Sequence, residues 1–289
     1  MTAEAEGKAR AEHFRREHDL GHAPLSDLVA LIEQTQKVDV AILDANVDEH
    51  GLVMRDPVRD DLVLFAARTP HTMRQRSTLA HELAHVLFGD RRPAQSGGWA
   101  KRSHEEIRAD GFARHLLLPI SALTHTFRDG RTPTLGDLSA LVQAFQISPS
   151  LAAIQLHGAR LITAQVKGQW MDTSTPTLAA RYGWTDQYRA MQQESMTRRA
   201  PQQLLAWAVA GYTNNVVALQ SLARIRGITA EQVAADLAEA AIEPVTEEIA
   251  WASLKDLPVP TDADFAELDE LDDLPGPHSD LTGDDQAAD

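Results

Sequence analysis

The sequence predicts an α+β fold that is mostly helical and contains one small antiparallel sheet. In residues 38–67 the apolar residues form short strand-like runs separated by turn residues, whereas in residues 73–87 and 104–118 they recur at helical spacing. Residues 134–156 predict a helix, a short turn and a second helix, and residues 178–241 are rich in Ala, Gln and Leu. These patterns together indicate a small sheet beside two long helices, followed by a helical hairpin and a C-terminal helical region.

The elements of the N-terminal part follow one another in a simple order. Residues 1–20 are charged and form a helix candidate, and residues 25–34 carry apolar side chains at helical spacing, which predicts a short amphipathic helix. Three strand candidates follow, at residues 38–47, 52–56 and 61–67. Because turn residues separate these candidates, we expect neighbouring strands to pair in an antiparallel sheet.

Composition excludes several classes of protein. The 289 residues include no cysteine, which excludes disulfide scaffolds, thiolate metal sites and cysteine nucleophiles. A metal ion could therefore be held only by His, Asp or Glu. The 42 acidic residues outnumber the 27 Lys and Arg residues and give a formal net charge of -15, which disfavours binding to nucleic-acid phosphates or anionic membranes.

Much of this charge lies in one segment. Residues 256–289 contain 12 acidic residues and no Lys or Arg, so most of the net charge belongs to a tail that we expect to be disordered. Apolar residues recur within the tail, and it could dock on a basic partner surface or mask a cleft.

The segment QRSTLAHELAHVLF contains the most informative motif, HELAH at residues 81–85. Residues four apart lie one turn apart on one face of a helix, so His81 and His85 can direct their imidazoles at the same ion. Glu82 flanks them and can deprotonate a water molecule that the ion activates, for attack on a peptide carbonyl. The motif therefore predicts a catalytic zinc site.

A catalytic zinc ion needs a third protein ligand, and candidates lie on the next predicted helix, SHEEIRADGFARHLLLP. Glu105 and Glu106 fall on opposite margins of its apolar face, so periodicity alone does not choose between them. Asp110 lies on the same side as Glu106, and His104 and His115 are further possible ligands. The residues alone leave the third ligand open.

The two segments RQRSTLAHELAHVLF and EIRADGFARHLLLP resemble, in this order, the two signature helices of the ImmA/IrrE family of metallopeptidases. The resemblance covers roughly residues 20–160 and implies a zincin-like metallopeptidase core with zinc as cofactor, for which Mn²⁺ could substitute. It implies that Glu106 is the third metal ligand. Asp110 occupies the Asn/Asp position of the family pattern, and we expect it to hydrogen-bond a ligand imidazole, the alternative being a surface salt bridge. Ser77 departs from the family pattern, which has an aromatic residue there.

The resemblance also implies a function. A protein of this kind should be a zinc-dependent endopeptidase that cleaves or inactivates an Xre-type helix-turn-helix repressor and thereby derepresses its genes. An alternative is a catalytically slow or inactive metalloprotein that binds a partner, in the manner of an anti-repressor or antitoxin, through residues 178–241 and the tail. Direct nucleic-acid binding through residues 134–156 is not expected, because the second helix of the hairpin has no basic face.

We expect four segments along the chain. Residues 1–128 would form the metallopeptidase core, residues 129–165 a helix-turn-helix-like hairpin, residues 166–255 a C-terminal helical domain, and residues 256–289 the acidic tail. The N-terminal segment is polar, and no apolar run reaches the length of about eighteen residues that a membrane span needs. We therefore expect a cytoplasmic protein without a membrane partner.

Overall fold

The computed structural model describes residues 1–45, 51–55, 61–90 and 103–245. The chain divides into two units, Met1–Pro244 and Val245–Asp289, and all of the second unit except Val245 lies outside the described residues. The expected acidic tail at residues 256–289 therefore falls outside them, and the domain boundaries expected at residues 128, 165 and 255 stay predictions.

The described residues confirm the α+β, mostly helical fold class. The elements, in chain order, are α1 Ala3–Glu17, α2 Leu28–Gln36, β1 Asp39–Leu43, β2 Gly51–Arg55, β3 Leu62–Ala67, α3 Thr72–Phe88, α4 His104–Leu117, α5 Ile120–Thr126, α6 Leu135–Phe145, α7 Pro149–Gly158, α8 Ala164–Met171, α9 Thr175–Arg181, α10 Thr185–Ser195, α11 Gln202–Thr213, α12 Leu219–Arg226 and α13 Ala230–Glu239. Within these residues, no helix is long and apolar enough to cross a membrane.

The sheet is mixed, and the expectation of an antiparallel sheet is wrong for one of its two pairings. The strand order is β1-β3-β2, with β2 antiparallel and β1 parallel to the central strand β3. Side-chain patterns show which residues of a strand are buried, but they do not give the direction of its partner. The consecutive burial of Val40, Ala41 and Ile42 in β1 is typical of a strand covered on both faces, which is common in parallel sheets.

Helix α3 lies between the sheet and α4 and is buried accordingly. Leu79, Ala80, Leu83 and Ala84 are almost fully buried, and the helix contacts β2, β3 and α4. The sequence HELAH therefore lies on a helix packed against both the sheet and α4, where a buried polar side chain needs a partner.

Helix α1 packs closely on α4 through a glycine. A Cβ atom on Gly7 would lie 2.1 Å from the carbonyl oxygen of Arg108 and 2.6 Å from the backbone nitrogen of Phe112. No side chain fits between the two backbones at this point, so only glycine permits the approach. The contact holds in place the helix on which Glu106 lies.

The predicted helical hairpin is present as α6 and α7. Gln146 ends α6 in a left-handed conformation (φ 52°), and the Ser148 side chain accepts a hydrogen bond from the Leu151 N–H at 3.1 Å to begin α7. Ala152, Ala153 and Leu156 of α7 are fully buried. Helix α7 is therefore a structural layer of the main core.

The region at residues 178–241 divides between two hydrophobic clusters. Trp184 and Tyr188, which flank the start of α10, belong to the main core, and the Trp184 Nε1–H donates to Ser139 Oγ at 2.9 Å. Helices α11 to α13 instead enclose a smaller cluster of their own, formed by Ala208, Leu222, Ala223, Val233 and Leu237. These two aromatic side chains thus serve core packing.

Candidate metal centre

The candidate metal centre is formed by side chains from α3 and α4, two helices that contact each other. Helix α3 contributes His81, Glu82 and His85, and α4 contributes Glu106 from its first turn. The N-cap residue Ser103 fixes the start of α4, because its hydroxyl accepts a hydrogen bond from the Glu106 N–H at 3.3 Å.

The donor atoms of His81, His85 and Glu106 converge on one point. The two Nε2 atoms lie 3.1 Å apart, His81 Nε2 lies 3.3 Å from Glu106 Oε2, and His85 Nε2 lies 3.7 Å from Glu106 Oε1. Ligands of a tetrahedral zinc ion at bond lengths of about 2.0–2.1 Å lie about 3.3 Å from one another. The three side chains therefore fit a zinc ion in both chemistry and spacing.

The opposite edges of both imidazoles face carboxylates. His81 Nδ1 lies 3.0 Å from Asp110 Oδ1, and His85 Nδ1 lies 2.8 Å from Asp90 Oδ2. A carboxylate at Nδ1 accepts the ring N–H and leaves the lone pair of Nε2 for a metal ion. Asp110 therefore lies where we expected it from the sequence, within hydrogen-bond distance of a ligand imidazole.

Asp90 is a residue that the sequence analysis missed. The signal available in the sequence is its place directly after Gly89, because a glycine that ends a helix turns the chain back toward the last helical turn. Only the folded structure shows that this turn brings Asp90 to His85.

The electrostatics of the centre favour a positive charge. Burial disfavours the charged form of His81, but hydrogen bonds to Asp110 and Glu106 outweigh that effect and raise the pKa of His81 to about 9. Glu82 and His85 are each only 3% exposed. A site that attracts a proton so strongly is also suited to a divalent cation.

The other ligand candidates lie away from the point of convergence. Glu105 is exposed, and hydrogen bonds from its own backbone and from Ser103 lower its pKa. His104 Nε2 pairs with Glu6 Oε2 of α1 at 2.8 Å, and the buried His115 packs beside Gln155. Of the two glutamates that periodicity leaves open, the structure therefore places Glu106 with the histidines.

Strand β2 passes very close to Glu82. A Cβ atom on Gly51 would lie 2.4 Å from Thr78 Cγ2, 2.9 Å from Glu82 Cγ and 3.0 Å from Glu82 Oε1. Glycine at this position lets the strand contact the helix, and the contact restricts the space available to the Glu82 side chain.

The comparisons with known proteins agree with this arrangement. Residues 35–157 match the family model Peptidase_M78, described as the IrrE N-terminal-like domain, and the matched span contains all four residues of the centre. No curated protein matches the chain. The matched domain and the His-His-Glu group within it show that this chain carries a metallopeptidase domain of the ImmA/IrrE family.

Proposed function

We propose that the protein is a zinc-dependent endopeptidase of the gluzincin type, in which the two histidines of HExxH and a later glutamate hold the metal ion. We further propose that it cleaves or inactivates an Xre-type helix-turn-helix repressor and so derepresses the genes under its control. The convergence of His81, His85 and Glu106 beside Glu82, inside the matched domain, supports the first proposal. The family resemblance supports the choice of substrate. The cytoplasmic location expected from the sequence stays a prediction.

Each residue of the centre would have a defined role in the reaction. His81, His85 and Glu106 would hold the ion, for which Mn²⁺ could replace zinc. When bound, zinc polarises the peptide carbonyl and increases the acidity of water. Glu82 takes a proton from the attacking water and returns it to the leaving amine, and its burial shields this carboxylate from bulk water.

Gly51 should be needed for the correct placement of Glu82. We expect Gly51→Ala to reduce peptide cleavage by about tenfold or more, because the added methyl group would displace Glu82 or β2. Zinc affinity, measured by competition with a chelator, should stay within about threefold of wild type, since the atoms nearest to the added methyl group belong to Thr78 and Glu82 and not to the three ligands.

A matched control is available in α8. Nothing lies within 4 Å of a Cβ atom built on Gly168, so Gly168→Ala should leave cleavage unchanged. Full activity of Gly51→Ala would show that the close approach of β2 does not position Glu82.

The proposed function can be tested with the purified full chain and the Xre-type repressor encoded beside its gene. We expect the repressor to be cut at a defined site with zinc, to stay intact with a chelator, and to be cut again after zinc or Mn²⁺ is restored. Mass spectrometry of the products would identify the site, and an unrelated helix-turn-helix repressor would serve as the control substrate. An intact repressor under every metal condition would contradict the proposed proteolysis.

The same experiment separates the alternative function. A partner-binding module would retain the repressor in a stable complex without cutting it, and its biological activity would survive loss of Glu82. The helices α11 to α13, with their own hydrophobic cluster, are the segment whose removal would then abolish activity.

A further inference from the structure

We propose that Asp90 and Arg108 form a positioning pair that fixes the imidazole of His85 for metal binding. The proposal rests on the proposed function, because it assumes that His85 is a metal ligand. It adds two residues that neither touch the ion nor belong to the HExxH motif.

The backbone at the end of α3 places Asp90 beside His85. Gly89 adopts a left-handed conformation (φ 68°), the Asp90 N–H donates to the His85 carbonyl oxygen at 3.0 Å, and the Gly89 N–H donates to that of Val86 at 3.1 Å. These two hydrogen bonds form a Schellman motif, which turns the chain back over the last helical turn. The carboxylate thereby reaches His85 Nδ1 at 2.8 Å.

Arg108 engages the second oxygen of the same carboxylate. Asp90 Oδ1 accepts a hydrogen bond from Arg108 Nη2, and the guanidinium lies over the Phe88 ring at 4.2 Å from its centroid. A buried carboxylate is costly without a charged partner, and Arg108 provides one in a fixed orientation. One oxygen of Asp90 thus contacts the imidazole of His85, and the other contacts the guanidinium of Arg108.

The position of Arg108 connects the two helices that carry the ligands. Arg108 lies on α4 two residues after Glu106, whereas His85 lies in the last turn of α3 and Asp90 follows that helix. The backbone of Arg108 is itself fixed, because its carbonyl oxygen packs against Gly7 of α1. The pair therefore fixes the position of His85 relative to Glu106.

Asp90 should matter more than Asp110, although both carboxylates face a ligand imidazole. The Asp90 side chain is 9% exposed, and that of Asp110 is 28% exposed. Water competes less with the buried hydrogen bond to Asp90 than with the more exposed one to Asp110. Loss of the Asp90 hydrogen bond should therefore leave its imidazole less well oriented than loss of the Asp110 hydrogen bond does. We expect Asp90→Asn to reduce metal affinity more than Asp110→Asn.

The test measures zinc affinity of the full chain by competition with a chelator. We expect Asp90→Asn to weaken zinc binding by about 10- to 100-fold and Arg108→Gln by about 3- to 10-fold. The double variant should resemble Asp90→Asn within about twofold, because Arg108 acts through Asp90. The visible absorption spectrum of the Co²⁺-substituted protein should also change in Asp90→Asn, which a purely structural role would not produce.

The control is a second ion pair that involves α4. Glu4 of α1 pairs with Arg114 of α4, so Glu4→Gln removes another charge contact of α4, away from the centre, and should leave zinc affinity within about twofold of wild type. This variant separates loss of orientation at His85 from general weakening of α4.

Each of the following results would overturn the proposal. Zinc affinity of Asp90→Asn within threefold of wild type would contradict it, and so would additive losses in the double variant. Should Asp90→Asn fail to fold, wild-type affinity in Arg108→Gln would contradict it as well. Glu106→Gln, measured in parallel, keeps the proposals distinguishable: if only Glu106→Gln loses zinc, the positioning pair is wrong and the metal site stands.

Discussion

Replacing Glu82 with glutamine should reduce repressor cleavage by at least about a hundredfold while zinc affinity stays within about threefold of wild type. Glutamine has nearly the same shape, so the buried position beside Gly51 remains filled, but its amide cannot take a proton from water. The donor atoms of the metal centre belong to other side chains and stay in place. Single-turnover cleavage and chelator competition on the same preparation would measure both quantities.

The result for Glu82→Gln also separates the two proposed functions. Cleavage that persists in this variant would place the general base elsewhere. Biological activity that persists while the repressor stays intact would favour the partner-binding alternative. A loss of zinc together with activity would show instead that Glu82 supports the structure of the centre.

Replacing Glu106 with glutamine should lower zinc affinity by about a hundredfold or more, whereas Glu105→Gln should change it by less than about threefold. The substitutions remove the same charge from adjacent residues of α4, but only Glu106 approaches the two histidines. The comparison therefore distinguishes metal ligation from a general change in charge near the centre. Calorimetric titration with zinc would measure both variants against wild type.

Equal losses in Glu105→Gln and Glu106→Gln would contradict this assignment. Such a result would mean that long-range charge, rather than a direct bond, determines the zinc affinity. Wild-type affinity in both variants would mean that another residue is the third ligand.

Helical periodicity and the HExxH spacing were sufficient to predict two of the three proposed metal ligands. Residues four apart on a helix share a face regardless of the rest of the fold, so His81 and His85 could be paired from sequence alone. Glu106 could not be chosen over Glu105 in this way, because that choice depends on how α4 rotates against α3. The family resemblance implied Glu106, and the structure brings it to the histidines.

Three features depended on tertiary contacts and could not be predicted from local patterns. The parallel pairing of β1 with β3 depends on the path of the chain between strands. The close approach of α1 to α4 depends on Gly7, where no apolar side chain marks a contact. Asp90 reaches His85 only because a left-handed Gly89 ends α3.

The central claim, that His81, His85 and Glu106 hold one zinc ion, is tested most directly by X-ray absorption at the zinc edge of the zinc-loaded full chain. We predict one tightly bound zinc per chain, with two imidazole ligands and at least one oxygen ligand at about 2.0–2.1 Å. His81→Ala and His85→Ala should each lose imidazole scattering. Zinc that binds with no imidazole ligand, or a wild-type spectrum in both variants, would contradict the account.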